Sequence, residues 1–497
     1  MRADTLIRPY NSLNPFSYIM EESLKEKTAK GLFWGFTNNG VQQLIGVVFG
    51  VILGRLLSQA DYGMMTMIAI FPLIAKELQN SGFTVALTNM KAPSHRDYNS
   101  VFWFNIIVGF TMYVLLFFLS PLIANFYHEP ELTKLCRYAF LVIPLSALGT
   151  AQSAVLFKNL KVKQQAKAGM SSVLVSSIIG ATMAWLGCRY WSLATQSIIY
   201  IGLNTLMVWH YSPWRPTMEL DFAPVKRMFP FSCKMLATNI AIHINNNVLN
   251  ILLGRFFTKE VAGTYSQANT WSSKCAYLVQ GMVQQVAQPI LVGLNDERER
   301  QLMVLRKMMR FTAFITFPLM FGLALVAREF IVLAITEKWI ESAKLMQYLC
   351  VSWAMVPLTV LLSNMIVSKG KSGTYFWCTV TLAALQIALM AMLAPYGMHT
   401  MVIGFVTLSC LWVFVWHHFT RRLTGYGIGM FLKDTIPFAL IALGVMVVTH
   451  YLTSSIENLW ILFTSRVVIA AVLYFVVMKM AHAKILDECI QFIKRKR

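Results

Sequence analysis

Five asparagines and one histidine lie within residues 229–253, a stretch otherwise apolar enough to cross a bilayer and carrying one charge, Lys234. Most of them share one helical stripe, because they are spaced i, i+4, i+7, i+8 and i+11: Asn239, His243, Asn246, Asn247 and Asn250. Amide and imidazole groups facing lipid would lack hydrogen-bond partners, which is costly. The stripe therefore predicts a face that meets protein or water. Asn245 lies off the stripe.

Two further predicted helices carry polar stripes at similar spacing. In the first helix the stripe comprises Asn39, Gln42, Gln43, Gly46 and Gly50. In the eighth it comprises Gln267, Thr270, Lys274, Tyr277, Gly281, Gln284 and Gln288. Such side chains can join membrane helices by hydrogen bonds, each contributing about 0.6–2 kcal/mol, or they can line a hydrated lumen. Three stripes on separate helices favour the lumen.

Charged side chains also fall within predicted membrane spans. Lys76 and Lys274 lie near the middle of the second and eighth helices, where a charge costs roughly 2.5–3.5 kcal/mol on insertion scales. They are interpreted as lumen residues, with an ion pair between Glu77 and Lys274 as the structural alternative. Arg55 and Arg255 end the first and seventh helices. Either they reach the lipid headgroups or they line the outer mouth of the lumen.

The sequence offers no catalytic constellation. It has no glycine-rich phosphate loop, no nucleophile elbow and no paired carboxylates, so we expect a protein that is not an enzyme. Eight cysteines show no paired spacing, which predicts neither disulfides nor a metal site, and no cofactor is expected. The net charge of +21 does not indicate nucleic-acid binding, because the basic residues lie on short loops rather than on a soluble domain.

The elements that position these residues are predicted to be membrane helices. The chain is 57% hydrophobic and 13% charged, against about 45–50% and 25% in soluble domains. Apolar runs of about 20 residues predict an all-α polytopic membrane protein with fourteen spans. The spans lie near 31–57, 62–90, 98–125, 133–157, 168–188, 190–211, 229–256, 261–291, 311–335, 343–367, 374–395, 399–420, 432–452 and 458–480. Those at 62–90 and 261–291 are long and polar enough to break.

The basic residues predict how these spans are oriented. Thirty of the 43 Lys and Arg residues fall on alternate loops and on the two terminal segments, and nine fall on the remaining loops. Because cytoplasmic loops are enriched in Lys and Arg, both termini are predicted to be cytoplasmic. No cleavable signal peptide is visible. Residues 1–19 differ in character from the residues after them, and Met20 is a hypothetical start that N-terminal sequencing would test.

An internal repeat divides the spans. LGRLLSQADYG (53–63) matches LGRFFTKEVAG (253–263) at an offset of 200 residues, which also places Asn39 on Asn239. Each copy ends the first helix of a six-helix group, so two pseudo-symmetric lobes are predicted, with any binding site at their interface. The predicted segments are a cytoplasmic segment (1–30), an N-lobe (31–211), a Pro-rich cytoplasmic linker (212–228), a C-lobe (229–424), and a last helix pair with a basic tail (425–497).

Several segments, in their order along the chain, resemble bacterial polysaccharide flippases, the Wzx-type proteins of the polysaccharide transporter family. They are KEKTAKGLFWGFTNNGVQQLIGVVFGVILGRLLSQADYG (25–63), GTYSQANTWSSKCAYLVQGMVQQVAQPIL (263–291), NDERERQLMVLRKMMR (295–310), FITFPLMFGLALVAREFI (314–331) and EKW (337–339). The similarity extends over about residues 20–480 and favours the colanic-acid exporter-like branch. The family belongs to the multidrug/oligosaccharidyl-lipid/polysaccharide superfamily.

The resemblance implies a V of two six-helix lobes in the bacterial inner membrane, with helices 1, 2, 7 and 8 lining the cavity. It implies a polyprenyl-pyrophosphate-linked oligosaccharide as cargo, moved by alternating access for lipopolysaccharide, capsule or exopolysaccharide synthesis. Membrane lipids, and possible contacts with a polysaccharide polymerase and glycosyltransferases, are the other implied partners. The cations Arg55, Lys76, Arg255 and Lys274 would then attract pyrophosphate or acidic sugars, while Asn and Gln would bind sugar hydroxyls.

Alternatives of the same superfamily remain open. A multidrug transporter would need a membrane carboxylate for cation coupling, and Glu77 is the candidate in the first lobe. A lipid II flippase would have the same architecture. A membrane-bound polysaccharide ligase or polymerase belongs to a different class, and the short outer loops disfavour it.

Overall fold

The computed structural model of the chain describes residues 15–80, 92–294 and 297–481, with the isolated positions 83, 87, 90, 485, 486 and 488. Over these residues the regular structure is entirely helical. Ahead of the predicted linker the helices are α1 (Pro15–Leu56), α2 (Gln59–Ile68), α3 (Ile70–Asn80), α4 (His95–Tyr127), α5 (Leu132–Ala139), α6 (Val142–Ala147), α7 (Thr150–Lys158), α8 (Val162–Trp185) and α9 (Tyr190–Tyr211).

The second part of the chain is also helical, which fits an apolar chain whose backbone groups must bond internally. Its helices are α10 (Ala223–Phe256), α11 (Lys259–Gly293), α12 (Arg298–Leu325), α13 (Ala327–Ile335), α14 (Ile340–Ser368), α15 (Ser372–Leu393), α16 (Met398–Thr424), α17 (Ile428–Leu452) and α18 (Leu459–Met480). Short 3₁₀ turns precede α14 and α16.

Three predicted spans are interrupted. The span at 62–90 breaks at Ala69 between α2 and α3, as its polarity suggested, and Pro72 removes a backbone donor in the first turn of α3. The span at 133–157 consists of α5, α6 and α7. The span at 311–335 breaks at Val326 between α12 and α13. The other span expected to break, 261–291, is the single helix α11.

Nine helices of the described residues are long and apolar enough to cross a membrane, or ten if the bent pair of segments at 132–147 and 150–158 is one span. The helices with the densest polar stripes, α10 and α11, are not among them. Their polar side chains lower the hydropathy that this criterion measures. The number fourteen therefore stays a prediction.

The largest cluster of buried apolar side chains lies in the second part of the chain, where α11, α12, α14, α16 and α17 pack together. A smaller cluster joins α2, α4, α5 and α6. Helix α11 packs against α2 on one side and against α14 on the other. Its contact with α2 is the most extensive one between the two parts of the chain, and α10 and α13 add further contacts with the first part.

A buried carboxylate attaches α17 to α12. Asp434 is 0% exposed, and its oxygens accept hydrogen bonds from Arg306 at 2.8 and 3.0 Å, from Arg310 at 2.6 Å and from the Tyr426 hydroxyl at 3.1 Å. Two cations and a hydroxyl compensate the desolvation of this one charge. The predicted thirteenth helix is thereby tied to the ninth.

A second buried ion pair attaches α18. Arg466 and Glu329 of α13 lie 2.9 Å apart, and their side chains are 9% and 2% exposed. Arg466 also contacts Thr453 and His450 at the end of α17. The last two helices are therefore fixed to α12 and α13 by charged contacts in addition to apolar packing.

Outside the membrane helices, the predicted linker is held to the start of α4. Arg96 pairs with Asp221, and Asn99 donates a hydrogen bond to the Glu219 carbonyl at 2.7 Å. The Ala223 backbone N–H and the Arg96 guanidinium lower the pKa of Asp221. The linker thus runs along a fixed path before α10 begins.

We expect Asp434→Asn to destabilise the protein by about 2–3 kcal/mol. This is below the value for a fully buried pair, because Arg306 and Arg310 are partly exposed. The measurement is the midpoint of thermal unfolding in detergent. The control is Glu297→Gln, which removes an exposed pair with Arg300 and should leave the midpoint unchanged. Equal shifts in the two variants would contradict a structural role for the Asp434 cluster.

Candidate functional site

Two glycines of the repeated sequence hold α2 and α11 in backbone contact. Gly63 and Gly263 are the fifth residues of their helices. A Cβ atom on Gly63 would lie 2.6 Å from the carbonyl carbon of Lys259, and one on Gly263 would lie 2.8 Å from that of Gln59. Only glycine fits at such a distance. We call this crossing and its neighbours the repeat closure, which comprises Gly54, Arg55, Gly63, Gly254, Arg255 and Gly263.

The two glycines lie at matching positions because both helices begin at matching residues. Ser58 caps α2 in a capping box with Asp61, in which the Asp61 carboxylate accepts the Ser58 N–H at 3.0 Å. Thr258 caps α11 by accepting the Val261 N–H. These N-caps are separated by the same 200 residues as the glycines. The repeat therefore specifies both the helix starts and the crossing.

A second pair of repeat glycines accommodates large side chains from the opposite part of the chain. A Cβ atom on Gly54 would lie 2.6 Å from the Cγ2 of Ile335, and one on Gly254 would lie 2.8 Å from the Cγ of Met67 and 3.0 Å from the Cε1 of Tyr127. Ile335 and Tyr127 are the last residues of α13 and α4. Each half thus receives the end of a helix of the other half.

The two arginines predicted from the sequence, Arg55 and Arg255, also make contacts between the two halves. Arg55 donates hydrogen bonds to the carbonyls of Leu333 and Ala334, at 2.6 and 2.7 Å, at the end of α13. Arg255 lies 2.6 Å from the Nε2 atom of His128, the residue that ends α4. Cationic groups are favourable at helix C-termini. The arginines therefore join the two halves rather than only reaching for headgroups.

Other contacts at the repeat closure involve residues that sequence reasoning did not select. The Trp339 indole N–H donates to the Gly54 carbonyl at 2.8 Å, and Lys338 donates to the carbonyls of Arg55 and Leu57 at 2.8 and 2.7 Å. Gln59 also donates to the Lys338 carbonyl. The EKW triplet (337–339) belongs to the segments that resemble the flippase family. One sequence does not show which residues Lys338 and Trp339 contact.

A further ion pair at this end links α11 to the turn after α4. Lys259 and Glu129 lie 2.9 Å apart. The hydrogen bond from this lysine to Glu129 raises the pKa of Lys259. The pair adds to the contacts between the two halves.

Further along the helices, the structure brings together three residues that the sequence placed in a lumen. The Glu77 carboxylate of α3 accepts a hydrogen bond from Asn239 of α10 at 2.9 Å and lies 3.2 Å from the Nε2 atom of His243. Glu77 is therefore paired with α10, and the alternative pair with Lys274 is wrong. This contact again crosses between the two parts of the chain.

The lysines are placed differently from each other. The Lys274 ammonium donates to the Gly46 carbonyl of α1 at 3.2 Å and lies 4.6 Å from the centre of the Trp271 ring. Lys76 is exposed. Lys274 therefore contacts α1 at Gly46, one of the glycines of its polar stripe. The side chain of Lys76, on α3, is open to the surroundings of the protein.

The stripe residues divide into exposed and internally bonded groups. Asn39, Gln43 and Asn246 are exposed. By contrast, Asn247 donates to the His243 carbonyl at 2.9 Å, and Asn250 donates to Asn247 at 3.2 Å. Part of the α10 stripe is thus satisfied within its own helix, which helical spacing alone does not reveal. The described residues include no group of three His, Cys, Asp or Glu side chains arranged to hold a metal ion.

A family model described as "Polysaccharide biosynthesis protein" matches residues 52–344, more than half of the chain. The chain belongs to this polysaccharide biosynthesis protein family. The matched region begins one residue before the first copy of the repeat and ends in α14. It therefore contains the repeat closure, Glu77 and Lys274.

Relatives from three organisms resemble this family member over most of its length. The lipopolysaccharide biosynthesis protein WzxC of Escherichia coli K12 is 25% identical over 363 residues, covering 71% of this chain and 72% of the relative. The succinoglycan biosynthesis transport protein ExoT of Rhizobium meliloti is 24% identical, with coverages of 78% and 76%. The teichuronic acid biosynthesis protein TuaB of Bacillus subtilis is 22% identical, with coverages of 74% and 77%.

Solved structures share the fold of this family member. The lipid II flippase MurJ in an inward closed conformation superposes with a TM-score of 0.70 at 15% identity, covering 92% of this chain and 100% of MurJ. An inward-facing multidrug transporter of the MATE family has a TM-score of 0.60 at 14% identity, with coverages of 77% and 95%. The predicted all-α polytopic fold is confirmed, and the chain is a multi-pass membrane protein.

We expect Gly63→Ala to weaken the repeat closure, because the added methyl group would overlap the Lys259 backbone. In a background without native cysteines, a cysteine at Asn250 reports access from the repeat-closure side of the membrane. A membrane-impermeant maleimide should label it several-fold faster in Gly63→Ala. The control is Gly202→Ala, since a Cβ atom at Gly202 meets nothing within 4 Å. Unchanged labelling in Gly63→Ala would contradict the assignment of the closure.

Proposed function

We propose that this protein is a flippase that moves polyprenyl-pyrophosphate-linked oligosaccharides across the bacterial cytoplasmic membrane for lipopolysaccharide, capsule or exopolysaccharide synthesis. The observation that carries the proposal is the repeat closure: two copies of one sequence seal one end of the interface between the halves. Polar and charged side chains lie further along the same interface. Membership of the polysaccharide biosynthesis protein family supports the class of cargo.

Alternating access gives the repeat closure a function. With both termini cytoplasmic, as the basic loops predict, the closure lies at the periplasmic end. In this state the cargo would enter from the cytoplasmic side. Opening requires the contacts at Gly63, Gly263, Arg55 and Arg255 to separate, and contacts at the opposite end to form. The two six-helix lobes would be the moving units.

The cavity residues divide by chemistry in this proposal. Cations attract the pyrophosphate or acidic sugars, and among them Lys274 and Lys76 are nearest to the predicted lumen, while Arg55 and Arg255 belong to the gate. Neutral side chains bond sugar hydroxyls, which both donate and accept hydrogen bonds. This second group comprises Asn39, Gln43, Asn239, His243, Asn246, Asn247 and Asn250.

The proposal concerns transport and includes no covalent step. The relatives are named as biosynthesis and transport proteins. A flippase of this kind takes its cargo after glycosyltransferases have assembled it and delivers it to a polymerase, so these enzymes are the partners we propose. Deletion of the gene should make lipid-linked oligosaccharide accumulate in the inner leaflet. Unchanged export, in a strain without a second flippase, would contradict the proposal.

We expect the double variant Lys76→Glu, Lys274→Glu to lose export of the oligosaccharide, because two attractive charges on the cargo path become repulsive. The measurement is complementation of the deletion strain, with the amount of protein in the membrane matched. The control is Lys134→Glu, which changes an exposed lysine on α5 and should complement fully. Full export by the double variant would show that both lysines serve only in helix packing and do not attract the cargo.

Glu77 is the candidate carboxylate for coupling transport to protons. We expect Glu77→Gln to remove this coupling. Glutamine keeps an acceptor for Asn239 but cannot ionise. In proteoliposomes, the rate of the wild type should respond to an imposed pH gradient, and the rate of the variant should not. The control is Glu260→Gln, an exposed carboxylate at the start of α11. An equal response in wild type and Glu77→Gln would exclude this residue as the coupling site.

A further inference from the structure

A cavity of about 830 Å³ lies among α10, α11, α14, α15 and α16. Its volume is within the range of ~300–1,000 Å³ that is usual for ligand pockets. The described residues that line it all come from the second part of the chain, and none of these is charged. It differs in this respect from the interface that holds Glu77 and Lys274. We call it the side cavity.

The side cavity is lined by two kinds of side chain that suit sugars. Its amides include Asn245, Gln280, Asn364 and Gln386, which supply both donors and acceptors. Its aromatic rings include two packed pairs: Tyr277 lies edge-on to Trp353, at 5.1 Å between ring centres, and Tyr375 is tilted against Trp416, at 5.4 Å. Sugar rings combine hydroxyl groups with apolar C–H faces. An uncharged lining of amides and aromatic rings complements both features.

Several polar atoms of the lining have no hydrogen-bond partner among the described residues. They are shielded from solvent and include the Oδ1 of Asn245, the Oε1 of Gln280, the Oε1 of Gln386 and the Nε1 of Trp412. Leaving such a group unsatisfied costs about 1–3 kcal/mol. These four atoms lie behind the surface of the side cavity, out of reach of a ligand, so the protein keeps a polar wall there at a cost in stability.

Helix α10 lies between the side cavity and the interface between the halves. On α10, Asn239 bonds Glu77 and also lines the side cavity. Asn245 lies off the polar stripe and lines the side cavity as well. Helix α10 therefore separates a charged interface from an uncharged cavity, with Asn239 and Asn246 at the border between them.

We propose that the side cavity is a subsite for uncharged sugar rings of the cargo, separate from the cations that attract its pyrophosphate. This proposal rests on the proposed flippase function. The cations act on the part of the cargo that every lipid-linked oligosaccharide shares. The side cavity acts on the glycan, and its amides and aromatic rings select among glycans.

The test uses the full-length protein in lipid nanodiscs. The probe is the free oligosaccharide released by mild acid from the lipid-linked carrier that the deletion strain accumulates. Isothermal titration calorimetry measures its affinity, and tryptophan fluorescence reports on Trp353, Trp412 and Trp416. We expect wild-type protein to bind the probe. Excess inorganic pyrophosphate should not displace it, because the two groups occupy different places.

The decisive variant is Asn364→Leu, which replaces a partly exposed amide of the lining. Its affinity for the probe should fall about tenfold, the effect of one lost hydrogen bond. Its thermal stability should be unchanged, because the side chain is not fully buried. A purely structural asparagine would give the opposite pattern, with lower stability and equal affinity. The matched control is Gln347→Leu, an exposed glutamine of the same helix outside the side cavity.

The outcomes separate the two proposals. Absence of accumulated lipid-linked oligosaccharide in the deletion strain would overturn the flippase function and the subsite together. Accumulation with no binding of the probe, with equal binding by Asn364→Leu, or with displacement by pyrophosphate would overturn the subsite alone. Accumulation, binding that resists pyrophosphate, and weaker binding by Asn364→Leu with stability maintained would support both.

Discussion

The backbone contact between Gly63 and Gly263 is the constraint on which the interface between the halves depends. No side chain larger than hydrogen fits there, so α2 and α11 approach as closely as two helices can. This approach brings the neighbouring repeat residues within reach of the other half. Arg55 then meets the end of α13, Arg255 meets the end of α4, and Trp339 reaches the Gly54 carbonyl.

Polar groups on the two sides of α10 are arranged in two separate environments. One contains the ionisable residues Glu77, His243 and Lys274 at the contact between the halves. The other is the side cavity, where amides and aromatic rings stand without a charge. Separating them avoids the desolvation of ions inside a pocket between packed helices. A cargo with one ionic and one neutral portion matches this division.

The helices, the repeat and the polar stripes could be predicted from the sequence, because each depends on composition or spacing within the chain. The partners of the stripe residues could not. Periodicity places Asn239 and His243 on one face of α10 but does not say that Glu77 faces them. It also gives Asn245 no role, because this residue lies on a second polar face of α10, which lines the side cavity. The breaks at Ala69 and Val326 depend on local packing that hydropathy does not report.

The chemistry of the repeat closure determines how it responds to its surroundings. The glycine contacts at the crossing of α2 and α11 are backbone against backbone and contain no ionisable group. Dissolved salt screens exposed ion pairs over about 8–10 Å, but it does not loosen a steric fit between two backbones. On the proposed orientation, this seal faces the compartment whose acidity and ionic strength follow those of the environment. The steric part of the barrier, at Gly63 and Gly263, therefore needs no adjustment when that compartment becomes more saline or more acidic.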